Sequence, residues 1–271
     1  MIRRALAILF LTSVAWAEMT QVPFQEKDPK TNENFRNIYY QVDALDSNIS
    51  EIETSLANIQ GSAGFKNRII NPSFSINQRS TTTATDDAYH LDRWYALTQT
   101  STVTVAQQTE QENGQLTNLR MTQPGASAQR IGVAQIVESI NSIDLRGVAV
   151  TLSARIRCSA SQAIRYAILE STITADTVTS DVVSSWTSTD FTAGNFFISS
   201  ITVANTGSTT PTAATWTSVS LTATLTSNVK NLLVFFWSED TLAQNETLDI
   251  GSVQLEIGST ATPFATRDYE S

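Results

Sequence analysis

The sequence contains very few residues of the kinds that carry out catalysis. Its 271 residues include one cysteine and one histidine. Because Cys158 stands alone, no intrachain disulfide and no cysteine-based zinc site can form within one chain. Any Ser–His–Asp arrangement would have to use His90, and no nucleophile elbow accompanies it. The sequence also lacks a phosphate-binding glycine loop and metal-ligand spacing, so we expect no catalytic residue, no metal and no cofactor.

Positive charge is also scarce. Lysine and arginine number 17 against 26 aspartates and glutamates, which gives a net charge of −9, and Lys230 is the only lysine from residue 67 to the end. A phosphate-binding surface needs clustered Lys and Arg, so nucleic acid is excluded as a partner and an anionic membrane surface is disfavoured. Charged residues make up only 16% of the chain, and its many Ser, Thr, Ala and Gln residues suit strands better than surface helices.

Residues 1–17 resemble a secretory signal. The pair Arg3-Arg4 precedes the apolar run 5–14, which is too short to span a bilayer comfortably, and residues 15–17 form an A-x-A cleavage site. Cleaved export is one interpretation of this segment. The other is an apolar anchor or a misassigned start, because Met19 could itself begin a polar N-terminus.

Residues 35–60 carry the clearest periodic signal. Apolar residues recur at spacings of 3, 4, 3, 4, 3, 4 and 3, which predicts a coiled coil, since a helix on a globular core usually shows a wider apolar stripe. Isoleucine at three of the four d positions disfavours a parallel dimer, so we expect a homotrimer. The glycine-containing stretch 61–66 then ends the helix and forms a linker. The predicted trimer seam consists of Phe35, Ile38, Val42, Leu45, Ile49, Ile52, Leu56 and Ile59.

From residue 67 onward, short strands alternate with turns. Val219, Leu221 and Ala223 point to one face of their segment, while the serines and threonines between them point to the other. Cys158 falls on the apolar phase of its segment, as a small buried hydrophobe would. About nine strands without a helical segment predict an antiparallel β-sandwich over 67–271, most commonly a jelly roll. The candidate strands are 101–110, 116–123, 130–138, 148–158, 164–174, 196–204, 216–226, 231–238 and 247–257.

The run 232–237, Leu-Leu-Val-Phe-Phe-Trp, is apolar on both faces. One face meets the sandwich core, and the other needs cover from a loop or from a neighbouring subunit. In a trimer the neighbouring subunit would supply this cover, so we expect the strand to contribute to the association of the heads.

Several stretches of the head carry a resemblance to a known family. These stretches resemble the jelly-roll head of bacteriophage tail-fibre and receptor-binding proteins, and they occur in the same order along the chain. That head is itself similar to the sandwiches of carbohydrate-binding modules. The most specific element is Gln254-Leu255-Glu256 followed by Ala261-Thr262-Pro263-Phe264. Within the Asp-Arg-Trp triplet we expect Trp94 to pack in the core and its two neighbours to fasten a sheet edge. The matching stretches are 67–79, 92–94, 145–155, 232–237 and 250–264.

The resemblance implies a non-catalytic virion protein, a fibre or spike at the surface of a phage particle. The arm 18–34, which is polar and contains two prolines, would dock on other virion proteins, and the head would bind a host surface glycan. The alternative is a secreted bacterial carbohydrate-binding or adhesin-like protein, which the signal-like segment favours. A third hypothesis, a glycan-cleaving enzyme, would need paired carboxylates, whereas the acidic residues of the head lie at strand ends or on polar phases.

Sugar binding would need an exposed aromatic platform with polar neighbours. Trp186 lies inside the polar loop 183–190 and is the best exposed candidate, while Trp216 is out of phase with the core residues of its segment and can face outward. The alternative is that these aromatic residues pack at subunit contacts. The candidate ligand-binding residues are Trp186, Phe196, Phe197 and Trp216.

Overall fold

The computed structural model describes residues 33, 37–38, 40–49, 51, 66–79, 82–112 and 114–265. It divides the chain into two units, residues 1–56 and 57–271. In the part of the chain so described, no helix has the length and apolar character needed to cross a membrane. The predicted signal-like segment, nearly all of the predicted arm, and the seam residues Phe35, Ile52, Leu56 and Ile59 lie outside the described residues.

The first unit contains a helix where the heptad pattern predicts one. Residues 40–49 are helical, and Val42, Leu45 and Ile49 follow the 3-4 spacing along one side of it. Their exposed fractions are 47%, 59% and 47%, and that of Ile38 is 56%. An exposed apolar stripe is compatible with association of helices through this side. The helix is confirmed, and its association into a trimer stays a prediction.

The second unit is built from strands. Each ladder within it is antiparallel, and the residues of most strands alternate between the core and the opposite face. The strands are β1 (Thr83–Ala84), β2 (Ala88–Tyr89), β3 (Tyr95–Thr98), β4 (Val103–Glu112), β5 (Gln115–Thr122), β6 (Ile131–Val137), β7 (Ala149–Cys158), β8 (Ile164–Ser171), β9 (Thr202–Thr209), β10 (Thr217–Thr224), β11 (Asn231–Ser238) and β12 (Thr247–Ile257).

These strands form two six-stranded sheets. Sheet A has the order β1-β4-β5-β12-β7-β10, and sheet B has the order β2-β3-β6-β11-β8-β9. In sheet B the central strand β11 places Phe235 opposite Ala134 of β6 and Ala167 of β8. Two antiparallel sheets that share one core form a sandwich, which fits the predicted jelly-roll class.

The predicted strands agree with the structure for eight of the nine segments, and the differences have local causes. The segment predicted as 196–204 begins as a strand only at Thr202, because Phe196 and Phe197 lie in turns that pack on sheet B. The short strands β1, β2 and β3 were not predicted, since two to four residues are too few to show alternation. A helical turn, Ser139–Ser142, followed by a 3-10 turn, Ile143–Leu145, also departs from the all-strand expectation.

The core between the sheets is formed by the apolar phase of each strand. On β7, Val150, Leu152 and Ile156 are at most 1% exposed. Cys158 continues this phase at 0% exposure, and burial raises the pKa of its thiol. Its predicted role as a small buried hydrophobe is confirmed.

Trp94 lies in this core, as the sequence predicts. Its side chain is fully buried, its ring centroid is 4.9 Å from that of Phe74, and its indole N–H donates to the carbonyl oxygen of Asn71 at 3.1 Å. The preceding residue, Arg93, connects this region to the end of β6 through an ion pair with Glu138 at 2.6 Å.

Strand β11 is buried on both faces, and the chain itself supplies the second cover. Every residue of β11 is buried. Leu233, Phe235 and Trp237 form a second apolar cluster with residues of the β8–β9 connection, 172–201, which we name the cover segment. A loop therefore covers this face, and the expectation that a neighbouring subunit does so is wrong. The contributing residues of the cover segment are Val182, Phe191, Phe196, Phe197 and Ile201.

The sequence motif that is most specific for the family resemblance fastens the end of the chain to β12. The Glu256 carboxylate is 2% exposed and accepts hydrogen bonds from Thr262 N at 2.8 Å and Thr262 Oγ1 at 2.6 Å. Gln254 Nε2 donates to Glu256 at 2.8 Å, and its Oε1 accepts from Ala265 N at 2.9 Å. This latch, Gln254–Glu256–Thr262, holds residues 261–265 against the outer face of sheet A.

Removing the Glu256 carboxylate should destabilise the head markedly. Glu256→Ala removes the acceptor of the Thr262 N–H and O–H and one acceptor of the buried Gln254 amide. Because hydrogen bonds to a buried carboxylate are lost together, we expect the free energy of unfolding to fall by about 3 kcal/mol in chemical denaturation. Glu138→Ala is the control, because it removes an ion pair that is partly exposed and is worth roughly 1 kcal/mol or less. Equal losses in the two variants would contradict the latch.

Candidate functional site

The structure separates the four predicted ligand-binding residues between the two sheets. Phe196 and Phe197 are 0% exposed and pack on the outer face of sheet B as part of the cover segment. Neither ring offers a surface to a ligand, so their assignment as ligand contacts is corrected: they anchor the cover segment. The polar residues around them suggest an exposed loop, but the sequence does not show that these two rings pack against sheet B.

Trp186 also belongs to the cover segment, at its edge. Its side chain is partly buried and meets the ring of Phe196 at a centroid distance of 5.7 Å and that of Phe235 at 6.3 Å, both edge-on. The Trp186 carbonyl oxygen accepts a hydrogen bond from the guanidinium of Arg130. These contacts account for the residue without a ligand, and its role as a ligand contact stays a prediction.

Trp216 lies on the other side of the sandwich, next to the outer face of sheet A. It is partly buried, and the Arg157 guanidinium lies 4.5 Å from its ring centroid, within cation–π range. A Cβ at Gly251 would lie 3.6 Å from the Trp216 ring, so the ring packs close to the backbone of β12. The indole is thereby held in one orientation.

A charged network fixes Arg157 in place. Asp249, 1% exposed, accepts from Arg120 at 2.7 and 2.8 Å and from Arg157 at 2.7 Å. Arg157 also makes two bonds, of 2.7 and 2.6 Å, to Glu110, and these bonds lower the pKa of Glu110 against the opposing effect of burial. A lowered pKa keeps the Glu110 carboxylate ionised, which makes it unsuited to act as a general acid.

Beside this network lies a groove of about 470 Å³, within the size range of small-molecule sites. Strands β7 and β10 form one wall with the outward phase of their alternation, and the latched segment 261–264 forms the other. The floor includes Ser252, at the bulge where β12 shifts register between Gly251 and Gln254. The side chains that carry the chemistry of the groove are those of Ser153, Arg155, Ser218, Ser220 and Phe264.

The groove combines neutral hydroxyls with one guanidinium and one ring. Arg155 donates to Ser218 Oγ at 2.6 Å and to the Trp216 carbonyl oxygen at 3.4 Å, so the protein itself engages its charge. Serine hydroxyls both donate and accept hydrogen bonds, and the half-buried ring of Phe264 presents an apolar face. Such a lining suits a ligand with several hydroxyls and an apolar ring face. Ser153, Ser218 and Ser220 lie on the polar phase of their strands, a pattern common to any solvated strand, and sequence reasoning therefore missed them.

A second group of carboxylates lies near the β1–β2 turn. Burial, Asp86 and Asp181 raise the pKa of Asp87 to about 6, and Asp86 accepts a hydrogen bond from Thr98 N at 2.7 Å. Among the residues that the structure describes, no three His, Cys, Asp or Glu residues are placed to hold a metal ion. The histidine that a triad would require, His90, is 2% exposed. We interpret Asp86 as fastening the turn to β3 through its hydrogen bond from Thr98.

Comparisons with known proteins give no sequence relative. No family model matches the chain, and no curated protein matches it. Among solved structures it resembles the enzymatically active domain of tailspike protein 4 of bacteriophage CBA120, with a TM-score of 0.44 and 11% identity over 71% of this chain and 21% of that one.

Two further structures are similar over most of their own length. TmCBM61 in complex with β-1,4-galactotriose has a TM-score of 0.42 and 9% identity over 71% of this chain and 99% of that one. A putative sugar-binding protein from Bacteroides thetaiotaomicron has a TM-score of 0.43 and 13% identity over 71% and 100%. With every TM-score below 0.5, these likenesses say nothing about what this chain binds.

The raised pKa of Asp87 predicts a pH-dependent gain in stability. Its folded-state pKa of about 6 lies above the ordinary value of 3.8, so the ionised carboxylate destabilises the head above about pH 6, and this cost disappears below about pH 4. Asp87→Asn should therefore raise the Tm near neutral pH and leave it unchanged near pH 3.5. The control is Asp240→Asn at an exposed position. An equal Tm shift at both pH values would contradict the assignment.

Proposed function

We propose that the chain is a non-catalytic, fibre-type protein whose head binds a glycan in the groove of sheet A. The observation that carries the proposal is the lining of that groove, which combines serines on the outward phase of β7 and β10 with Phe264. Sugars present alternating hydroxyl edges and apolar C–H faces, so hydroxyl partners beside an aromatic ring match their chemistry.

Binding without cleavage follows from what lines the groove. In the described part of the chain no aspartate or glutamate is among the groove-lining residues. Glycoside hydrolysis by the usual route requires two carboxyl groups that flank the scissile bond. A sugar held in this groove would therefore meet neither of the two carboxyl groups that this route requires.

A trimeric stalk would hold three heads together, either on a phage particle or in a secreted protein. The heptad pattern of residues 35–60 continues through the helical residues 40–49, where its apolar positions are exposed in the single chain. Isoleucine at the d positions favours a coiled coil of three helices over one of two helices. Three linked heads bind a repetitive glycan surface more tightly than one head, because the second and third contacts are intramolecular.

Two settings fit this molecule. The first is a virion fibre at the phage surface, with arm 18–34 docked on other virion proteins and the heads attached to a host glycan. The second is a secreted bacterial carbohydrate-binding or adhesin-like protein, which the signal-like residues 1–17 favour. N-terminal sequencing of the native protein separates them: a start at Glu18 supports export, and an intact Met1 or Met19 supports the virion component.

Replacing the aromatic wall of the groove should abolish most binding. In the full chain, Phe264→Ala should lower the affinity for a glycan identified on a glycan array by about tenfold or more, because it removes the stacking surface. Trp186→Ala tests the competing prediction that Trp186 contacts the ligand. If the ligand lies in the groove instead, this change should loosen the cover segment and lower the Tm, with unchanged affinity. Loss of binding in Trp186→Ala with normal binding in Phe264→Ala would overturn the proposed site.

Charging the seam should dissociate the stalk. We expect sedimentation equilibrium of the full chain at micromolar concentration to give a trimer, and Leu45→Asp to weaken it, because a charge at a d position must be desolvated between helices. Ser47→Asp adds the same charge on the opposite side of the helix and should leave the trimer intact. A wild-type chain that is monomeric or a stable dimer would contradict the proposal.

A further inference from the structure

The helical turn between β6 and β7 exposes its apolar side chains and buries a serine. Ile140 and Ile143 are 75% and 52% exposed, whereas Ser142 is fully buried. The two isoleucines are three positions apart along a helical path, so they lie on the same side of it. Two neighbouring isoleucines at the surface form a patch, which single exposed apolar residues do not.

A third exposed isoleucine lies on the adjoining segment. Ile173, 42% exposed, belongs to the bend that follows β8. Asp176 fastens this bend to the helical turn by accepting hydrogen bonds from Ser139 N at 2.8 Å and Ser139 Oγ at 2.6 Å. We name Ile140, Ile143 and Ile173 the end patch. Among the described residues of the head, five large apolar side chains are exposed, and three of them form the end patch.

The end patch lies where the chain enters the head. Arg68 Nη2 donates to Asp144 Oδ2 at 2.6 Å, and Asp144 directly follows Ile143. The backbone N–H of Arg68 donates to the carbonyl oxygen of Leu255, near the end of β12, at 2.9 Å. The first residues of the head are therefore held against the segment that carries the patch.

Chain length links this end of the head to the predicted trimer. The predicted seam ends at Ile59, and Lys66, seven residues later, begins the described part of the head. Seven residues of extended chain span at most about 25 Å. Three copies joined through the seam would therefore hold the entry points of their heads within reach of one another, and with them the end patches.

The acidic groups around the patch already have partners within the chain. Asp144 pairs with Arg68, and Glu138 pairs with Arg93, each at 2.6 Å, while Asp176 accepts the hydrogen bonds from the helical turn. Each carboxylate keeps its partner when the isoleucines are covered, so burial of the patch leaves no charge unpaired. An apolar centre with a satisfied polar rim is typical of contacts between proteins.

We propose that the end patch is a contact between copies of this chain, in which three patches pack together around the axis of the trimer. This proposal rests on the trimer of the proposed function and identifies the surface through which the heads add to it. A coiled coil of four heptads is marginal by itself, and burial of exposed isoleucines supplies further stability. Strand β11, which the sequence suggested for this role, is covered by its own chain.

Charging the end patch should weaken the trimer without unfolding the head. In the full chain, Ile140→Asp combined with Ile143→Asp should raise the concentration at which half of the trimer dissociates by about tenfold or more, because the charges must be desolvated between copies. Sedimentation equilibrium measures this concentration, and circular dichroism shows whether the variant is folded. Leu116→Asp is the matched control: Leu116 is 68% exposed on β5, and its replacement should leave the trimer unchanged.

Cross-linking tests the contact without introducing a charge. Ile143→Cys places one accessible thiol in the patch, since Cys158 is buried. A short bifunctional maleimide should then join two of the three copies into a covalent dimer on a denaturing gel. The same reagent should leave Leu116→Cys monomeric, because this position lies outside the patch.

A wild-type trimer without a cross-link at residue 143 overturns the proposal and leaves the trimer of the proposed function standing. The same holds if the folded double variant dissociates at the wild-type concentration, or if Leu116→Asp weakens the trimer equally. If the double variant is unfolded, the cross-link decides alone. A wild-type chain that is monomeric or a stable dimer overturns the proposed trimer, and with it the contact that rests on it.

Discussion

The head depends on the burial of strand β11 on both faces. A strand with Leu, Val and Phe on one side and Leu, Phe and Trp on the other cannot remain at the surface of a sandwich, because burial of apolar area is worth roughly 25 cal/mol per Å². Sheet A covers one face. On the other, Phe196 and Trp237 stack at a centroid distance of 5.3 Å, and Phe235 and Trp237 at 4.7 Å. The cover segment is thus an extension of the core, and it closes the outer face of sheet B.

Closure of sheet B leaves sheet A as the face available for binding. Its outer surface joins the Arg120–Asp249–Arg157 network to the serine-lined groove. The Gln254–Glu256–Thr262 latch contributes to the stability of the head and also to the shape of the groove, because it fixes the segment that carries Phe264. A motif that the sequence ties to a family resemblance therefore serves here to build one wall of the groove. The bulge in β12, where Ser252 has a left-handed backbone conformation, borders the groove.

Alternation and periodicity make much of this fold predictable from the sequence. The long strands, the buried Cys158 and Trp94, and the helix with exposed Val42 and Leu45 all follow from local spacing. The partner of the second face of β11 does not, because contact between residues 191–197 and 233–237 depends on the path of a long loop. The groove was not predictable for a similar reason: its serines look like any solvated strand face, and a β-bulge at Ser252 leaves no mark in the pattern.

The central claim is that the head recognises its ligand on the open face of sheet A, because its own chain occupies the face of sheet B. Hydrogen–deuterium exchange of the full chain, with and without a bound neutral glycan, tests this claim most directly. The account predicts that the glycan slows exchange in residues 217–220 and 251–264 and leaves residues 183–197 unchanged. Protection confined to residues 183–197 would contradict it.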